Sequence, residues 1–379
     1  MAVIYRKIQD RIEGRLQPGK VIILAGARRT GKTVLLKEIM KKLDGPFLYL
    51  NGEDYTTGLK LQKKGLDEYK NLIGANKYLV IDEAQKIENI GQILKLMIDE
   101  IEGLYIIITG SSAFDITSSA GEPLTGRKYT FQLHPIAQCE LAAYENAIET
   151  ESLLENRLIY GSYPEVLTIK DNQQKTEYLS ELINSYLLKD ILILDNIKNS
   201  AKLVNILRLL AFQIGKEVSV NELAKNVGLN KLTVERYLDL LTKVFVVYRI
   251  EGYSRNLRKE ISKSPRYYFW DNGIRNALIA NFNTLALRND VGELWENYVI
   301  AERIKLQHYQ GWLSNNYFWR TYDQQEIDWI EERDGGLFAF EMKYQKKTVK
   351  APGAWTANYP GATFDVISRE NYLLFIMQK

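Results

Sequence analysis

"GARRTGKT", residues 26–33, decides how the first third of the chain is read. It fits G-x-x-x-x-G-K-[ST] and lies between the apolar run "VIILA" (21–25) and the helical run "KTVLLKEIMKKL" (32–43). That is the strand–loop–helix setting in which such a loop cradles phosphates. Gly26 and Gly31 let the backbone curl so that its N–H groups face the anion, and the next helix adds its dipole. Lys32 is expected to reach the β- and γ-phosphates of ATP, and Thr33 to ligate Mg²⁺. Arg29 and Thr30 fall inside the loop and are counted with the nucleotide-binding residues.

Outward from the loop, strands and helices alternate: "FLYLN" (47–51), "KYLVIDE" (77–83), "IGQILKLMIDEI" (90–101) and "LYIIITG" (104–110). Alternation of this kind argues a mostly parallel sheet with helices on its faces. "YLVIDEAQ" (78–85) is expected on a strand neighbouring the loop's own. There Asp82 would hold the Mg²⁺ water shell and Glu83 would orient the attacking water. The strand ending "LYIIITGSS" places Ser111, or Thr109, where a hydroxyl could sense the γ-phosphate. Residues 3–16 read as a short helix.

The rest of the composition bounds the answer. A chain of 379 residues is too long for one ordinary core. Its 46% apolar and 26% charged residues are those of a globular protein. With 50 basic and 47 acidic residues the net charge is +3, so any nucleic-acid footprint must be local. One cysteine, Cys139, excludes an internal disulfide framework, and two histidines argue against a Cys/His zinc site. No apolar run approaches the roughly 18 residues of a membrane span, and the expected location is cytoplasmic, with no membrane partner.

The three strands in this order resemble the AAA-type branch of P-loop ATPases. "GRKYTFQLHPI" (126–136) and "LIYGSYPEVL" (158–167) look like the close of the core and the lid of an archaeal and bacterial family of that branch. The resemblance implies that a Gly-x-x-Pro segment, Gly161 to Pro164, approaches the nucleotide. It also offers Arg127 as an arginine acting on the γ-phosphate.

Farther along, "SVNELAKNVGLNKLTVERYLDLL" (219–241) looks like a helix-turn-helix, with Ser219 and Glu222 as a capping box, Gly228 in the turn and Asn230 capping the second helix. "TKVFVVYRI" (242–250) would be the wing strand. The second helix offers Lys231 and Arg236 to DNA, but also Glu235 and Asp239, which phosphates repel. The segment 255–266, with Arg255, Arg258, Lys259 and Arg266 against the single acid Glu260, is the better electrostatic footprint.

Near the C-terminus "QEIDWIEERDGGLFAFEMK" (325–343) carries a hairpin signal at Asp334-Gly335, suited to a two-residue type I′ turn. Pairing outward sets Arg333 opposite Gly336, Trp329 opposite Phe340, Asp328 opposite Glu341 and Glu326 opposite Lys343. Trp329, Ile327, Phe340 and Met342 should share the buried face. Two facing carboxylates, Asp328 and Glu341, destabilise a hairpin unless a divalent cation lies between them. Lys343 could then activate a water or stabilise a scissile phosphate.

Asp followed by Glu-x-Lys on the next strand resembles the PD-(D/E)xK nuclease fold. That resemblance asks for one more acid on a preceding helix: Glu296 in "GELWENYVIAERIK" (292–305), with Glu293 as its rival. Over nearly its whole length the chain resembles prokaryotic AAA-type ATPases fused to a winged-helix and restriction-endonuclease-like C-terminal region. The expected fold is α/β: a P-loop core with a parallel sheet (1–135), a helical lid (136–200), a winged helix (201–264) and a nuclease-like α/β domain (265–379). The implied ligands are ATP, Mg²⁺ and, at the nuclease-like site, Mn²⁺ as a substitute. DNA is the implied partner, and self-assembly as a homo-oligomer is compatible with the family. An ATP-switched signalling or scaffold protein whose nuclease-like domain binds without cleaving is the rival reading, and a protein-remodelling ring a third.

Overall fold

The structure, a computed structural model, describes residues 3–62, 65–111, 124–187, 200–254, 264–345 and 347–378. The chain divides into two compact units, one of Ala2–His134 with Lys243–Phe245, the other of Pro135–Thr242 with Val246–Lys379.

The N-terminal unit is built on a five-stranded parallel sheet: β1 (Val21–Ala25), β2 (Phe47–Asn51), β3 (Tyr78–Asp82), β4 (Tyr105–Gly110) and β5 (Lys128–Gln132). The strand order is β2-β3-β4-β1-β5. Every residue of β1 and β3 is buried. That is why both read as unbroken apolar runs, since a parallel strand between two covered faces has no solvent side. Helix α1 (Ile8–Glu13) is shorter than the expected 3–16, ending at Gly14. Helix α2 (Lys32–Met40) follows the phosphate loop, and α3 (Ile90–Glu100) packs Leu94, Met97 and Ile98 with Ile81, Ile106 and Ile108 of the sheet. One expectation is corrected: β3, which carries Asp82, does not neighbour β1, because β4 lies between them.

The C-terminal unit includes α4 (Ala147–Tyr160), capped by Asn146 and Glu149. Farther along come α5 (Ser200–Phe212), α6 (Val220–Val227) and α7 (Lys231–Lys243). Ser219 Oγ accepts the Glu222 N–H, Gly228 takes a left-handed φ of 63° to end α6, and Asn230 Oδ1 accepts the Thr233 N–H. Strands β6 (Val247–Gly252) and β7 (Arg266–Phe269) then pair antiparallel, and α8 (Asn272–Leu278) follows. The remainder is α9 (Val291–Gln310), β8 (Asn315–Arg320), β9 (Glu326–Arg333), β10 (Gly336–Met342), α10 (Gly353–Asn358), β11 (Thr363–Ile367) and α11 (Tyr372–Met377). These strands form one sheet in the order β11-β10-β9-β8-β6-β7, a β8-β9-β10 meander with β11 parallel to β10.

The wing-like strand β6 also runs parallel to β8, through Glu251–Tyr317 and Gly252–Phe318. The boundary expected at 264/265 falls between the paired strands β6 and β7, both within the unit of Pro135–Thr242 and Val246–Lys379.

The hairpin turn is as the sequence requires, with Asp334 (φ 52°) and Gly335 (φ 76°) both left-handed. The ladder runs from Arg333–Gly336 to Trp329–Phe340 in the expected register. On the other edge of β9, Tyr317 pairs with Ile330 but Trp319 with Ile327, so three steps on β9 match two on β8. This bulge turns Ile327 onto the face of Ile330 and Ala339, in the cluster with Trp319 and Trp355. Ile327 thus does not share the face of Trp329 and Phe340.

Candidate functional site

The phosphate loop leaves β1 at Gly26, where an added Cβ would lie 2.3 Å from the Leu133 carbonyl oxygen. Only glycine lets the loop pass there. Gly31 adopts φ 97° immediately before α2. Arg29 is also left-handed (φ 63°) and exposed. Thr30 is buried and donates from Oγ1 to the Ala27 carbonyl at 2.8 Å. Lys32 Nζ donates to the carbonyls of Gly26 (2.9 Å) and Ala27 (3.1 Å), so its ammonium lies within the curl of the loop. Arg6 was not found by sequence reading. Its guanidinium donates to the carbonyls of Thr30 (2.8 Å) and His134 (2.7 Å) and pins the loop from the N-terminal segment.

Although β4 separates β1 from β3, helix α2 carries Thr33 back to Asp82. Thr33 Oγ1 donates to Asp82 Oδ2 at 2.8 Å, Tyr49 OH approaches the same oxygen at 3.4 Å, and Thr109 Oγ1 donates to Oδ1. Thr109 also accepts the Glu83 N–H at 2.9 Å. Glu83 itself is left-handed, φ 51°, an uncommon conformation for a residue with a Cβ. Gln85 Nε2 donates to Glu83 Oε2 (2.6 Å) and to Ser111 Oγ (3.0 Å). Thr109 is committed to the two acids, leaving Ser111 as the strand-end hydroxyl beside Glu83. A hydroxyl and a carboxylate held 2.8 Å apart at the mouth of a phosphate loop form a hard-oxygen donor set that fits Mg²⁺.

Arg127 is elsewhere. Its carbonyl accepts the Val21 N–H at the first residue of β1, and Nε pairs with Asp99 at 2.7 Å. The five residues of β1, about 16 Å of strand, separate that edge from Gly26. Arg127 therefore does not reach the phosphate loop of its own subunit. Gly161 and Pro164 belong to the C-terminal unit. There a Cβ on Gly161 would meet Asp271 Oδ1 at 2.0 Å, and Pro164 opens a short helix at its first turn.

The C-terminal unit has its own cavity, about 750 Å³, walled by α9, β7, β9 and the end of β10. Glu296, Glu326, Asp328, Arg266 and Lys343 line it. Glu341, 8% exposed, is tied to the wall by Lys343, whose Nζ donates to Oε1 at 2.5 Å. The acids expected from the helix and both strands thus converge. Glu296 and its rival Glu293 both line the cavity, Glu296 3.8 Å from Arg266 and Glu293 3.9 Å from Lys216. Asp328 Oδ2 accepts the Met342 N–H at 2.9 Å and lies 3.9 Å from Lys343 Nζ.

Electrostatics follow from burial and crowding. Burial, then the nearby Asp328, pushes the Glu296 carboxyl up to about 8, against the pull of Arg266 and of the Tyr268 hydroxyl, which donates at 2.7 Å. Burial also raises Asp328 and Glu341, the latter further through Asp328. Burial works to lower Lys343, but its bond to Glu341 and the other acids hold it above its ordinary value.

Arg266 is the residue that sequence reading misplaced. Counted there in the basic stretch offered to nucleic acid, it is 4% exposed. Nη2 lies 3.0 Å from Glu326, and Nη1 3.8 Å from Glu296 and 4.0 Å from Asp328. Arg255, Arg258 and Lys259 lie outside the described residues. Two cations of the chain itself, Arg266 and Lys343, therefore offset the acids that sequence reading left facing each other. Among the described residues no group of three or more His, Cys, Asp or Glu is spaced to hold a metal ion. Glu341 Oε2, however, is buried without a hydrogen-bond partner. With Asp328 beside it, this orphaned carboxylate oxygen fits a single divalent cation.

On α7 the exposed side chains are Lys231, Leu232, Glu235, Arg236 and Asp239, with Lys231 3.6 Å from Glu235. That face is as acidic as it is basic. Among the described residues no helix is long and apolar enough to cross a membrane.

Three family models match successive parts of the chain. A family model described as an AAA domain matches residues 18–142. Two models of domains of unknown function, DUF8612 and DUF4143, match 151–285 and 291–354. An uncharacterized protein of Mycobacterium tuberculosis is 26% identical over 348 residues, covering 90% of this chain and 74% of that protein. An uncharacterized protein of Methanocaldococcus jannaschii is 26% identical over 347 residues, 85% of this chain and 74% of its own. Among solved structures, a signal transduction ATPase with a tetratricopeptide repeat sensor from Pyrococcus horikoshii aligns with 82% of this chain and 48% of its own, at 13% identity and TM-score 0.33. A RuvB variant from Thermotoga maritima aligns with 61% of this chain and 82% of its own, at 14% identity and TM-score 0.28. The N-terminal unit is an AAA-type P-loop ATPase domain, a nucleotide-binding module.

Proposed function

We propose that the protein hydrolyses ATP in its N-terminal unit and acts on DNA through its C-terminal unit, whose acidic cavity is a Mg²⁺-dependent phosphodiesterase site. In the first unit Lys32 is the ammonium for the β- and γ-phosphates, with the loop N–H groups from Gly26 to Thr33 around them. Thr33 and Asp82 would hold Mg²⁺, which would supply neutralisation of the phosphate charge. Glu83, held by Gln85, orients the attacking water, and Ser111 faces the γ-phosphate.

The observation that carries the nuclease-like reading is the meeting of Glu296, Asp328, Glu341 and Lys343 in and around one cavity. They come from a helix and two strands, as the resemblance to PD-(D/E)xK nucleases asks. Asp328 and Glu341 would hold the cation, with Mn²⁺ able to replace Mg²⁺, and it would supply charge neutralisation at a phosphodiester. Lys343 is placed to stabilise the phosphate or to orient a water against it. Plasmid and short duplexes incubated with the protein, with and without ATP and with Mg²⁺ or Mn²⁺, provide the test. Cation-dependent nicking is expected, and it should vanish in Lys343→Ala.

A second reading has an observation of its own: Arg266 already answers the charge of Glu296, Glu326 and Asp328. A cavity so neutralised suits an ATP-switched protein whose C-terminal unit binds nucleic acid without cutting it. Retention of DNA with no cleavage in any cation would select that reading.

A further inference from the structure

Resting on the phosphodiesterase reading of the cavity, we propose that Arg266 is a built-in competitor of the divalent cation. Its guanidinium stands among the acids that a cation would draw on and sets how tightly the pocket takes one. Four carboxylates, those of Glu296, Glu326, Asp328 and Glu341, crowd this part of the unit; Asp328 and Glu341 are buried, Glu296 is largely so, and Glu326 is partly exposed. Left alone they would repel one another, which is the situation a divalent cation normally resolves. Here a guanidinium from the first residue of β7 resolves much of it.

The manner of its binding makes Arg266 displaceable in charge terms. Only one of its carboxylate contacts has hydrogen-bond length, Nη2 to Glu326 at 3.0 Å. The approaches to Glu296 (3.8 Å) and Asp328 (4.0 Å) are beyond it, so they are Coulombic and non-directional. Nε is buried without a hydrogen-bond partner. What fixes the group is packing: the guanidinium carbon lies 4.4 Å from the centre of the Phe318 ring. A structural arginine in a buried pair usually makes a two-pronged bond, as Arg303 does with Glu331 in the same unit (2.6 and 3.0 Å). Arg266 makes none. It supplies positive charge to Asp328 while leaving that carboxylate, and the unpartnered Glu341 Oε2, available to a cation.

Competition has a direct thermodynamic signature, because a cation and a guanidinium that stabilise the same acids weaken each other's effect. The experiment is Mn²⁺ titration of the full chain by calorimetry without nucleotide, paired with melting in EDTA and in Mn²⁺. Arg266→Gln removes the charge while keeping a polar side chain. Mn²⁺ is expected to bind this variant at least tenfold more tightly than wild type, and to raise its melting temperature more. Where Arg266→Gln fails to fold in EDTA, recovery of its fold as Mn²⁺ is added is the expected result. A variant that folds at no Mn²⁺ concentration overturns the proposal, since Arg266 then does something a cation cannot replace. Equal, measurable Mn²⁺ affinity in wild type and variant overturns it while leaving the cavity a metal site. No Mn²⁺ binding to either protein removes the metal reading of the cavity, and this proposal with it.

Discussion

Thr33 Oγ1 and Asp82 Oδ2 are joined by a 2.8 Å hydrogen bond although 49 positions separate them in the chain and a whole strand separates their sheet positions. Helix α2 makes the connection. It starts beneath the phosphate loop and carries its first-turn hydroxyl over β4 to the end of β3.

The first prediction concerns that joined pair. Lys32→Ala is expected to abolish ATP binding, because the only ammonium of the loop is lost. Asp82→Asn should still bind nucleotide but lose most of its Mg²⁺ dependence, since the amide keeps one acceptor oxygen and drops the charge. Glu83→Gln should bind ATP normally and hydrolyse it at least a hundredfold more slowly, the scale of a lost catalytic base. Calorimetry with ATP and a phosphate-release assay separate these outcomes. Normal turnover by Glu83→Gln would remove Glu83 from the mechanism.

Gln85 provides a second prediction. Its Nε2 donates to both Glu83 Oε2 and Ser111 Oγ and so fixes the Glu83 carboxylate. Gln85→Ala should therefore lower kcat while leaving ATP affinity within about twofold, and Gln85→Glu should be worse through repulsion of Glu83. If Gln85→Ala raises KM with kcat unchanged, Gln85 contacts nucleotide and does not position Glu83.

How far the sequence discloses all this differs from residue to residue. The phosphate loop was legible because glycine, lysine and threonine are needed there locally, at fixed spacing. The Asp334-Gly335 turn was legible for the same reason: two consecutive positive φ values admit few residues. The position of β4 between β1 and β3 was not, because sheet order depends on crossovers and not on local pattern. The bulge in β9 was invisible in an otherwise regular alternation, so Ile327 was put on the wrong face. Arg266 sat at the end of a basic stretch and read as part of a nucleic-acid footprint, whereas its partners come from α9 and β9, 30 to 62 positions away in sequence. Arg127 looked like a phosphate arginine only while its end of the sheet was unknown. Lys and Arg carry their function through such long-range placement, which composition does not encode.

The third prediction uses the buried ion pair of the C-terminal unit. Glu331 is fully buried and receives both prongs of Arg303, with Gln307, Trp329 and Arg333 completing its shell. Arg303→Met removes the two-pronged partner, leaves that carboxylate the single charged bond from Arg333, and should cost about 3 kcal/mol. Arg303→Met with Glu331→Leu should recover most of the loss, because no charge is then left buried. All six tryptophans fall between residues 270 and 355, so their fluorescence reports unfolding of this unit alone. A double variant no more stable than Arg303→Met would show that the arginine acts through packing on Phe375 and not through charge.

The last prediction concerns pH. Glu296 has a folded-state value of about 8 against 4.5 for the ordinary carboxyl, with burial as the main cause and Asp328 second. Between those two values the folded protein binds a proton that the unfolded chain releases. Stability therefore falls as pH rises from about 4.5 to about 8, and the loss is complete once the folded carboxyl ionises. The favourable contribution is fully present below the lower value. In metal-free protein, tryptophan fluorescence melts at pH 5, 7 and 9 should show a stepwise drop in melting temperature for wild type. Glu296→Gln keeps the acceptor for Tyr268 and cannot ionise, so its drop across the same range should be smaller. Other groups of the unit titrate in both proteins, and the difference between the two profiles isolates Glu296. Adding Mn²⁺ at pH 9 should restore part of the wild-type loss, since a cation offsets the carboxylate that has formed nearby. Parallel profiles for wild type and Glu296→Gln would mean that Glu296 is already ionised at pH 5 and paired with Arg266. The cavity would then be charge-balanced by arginine from the outset.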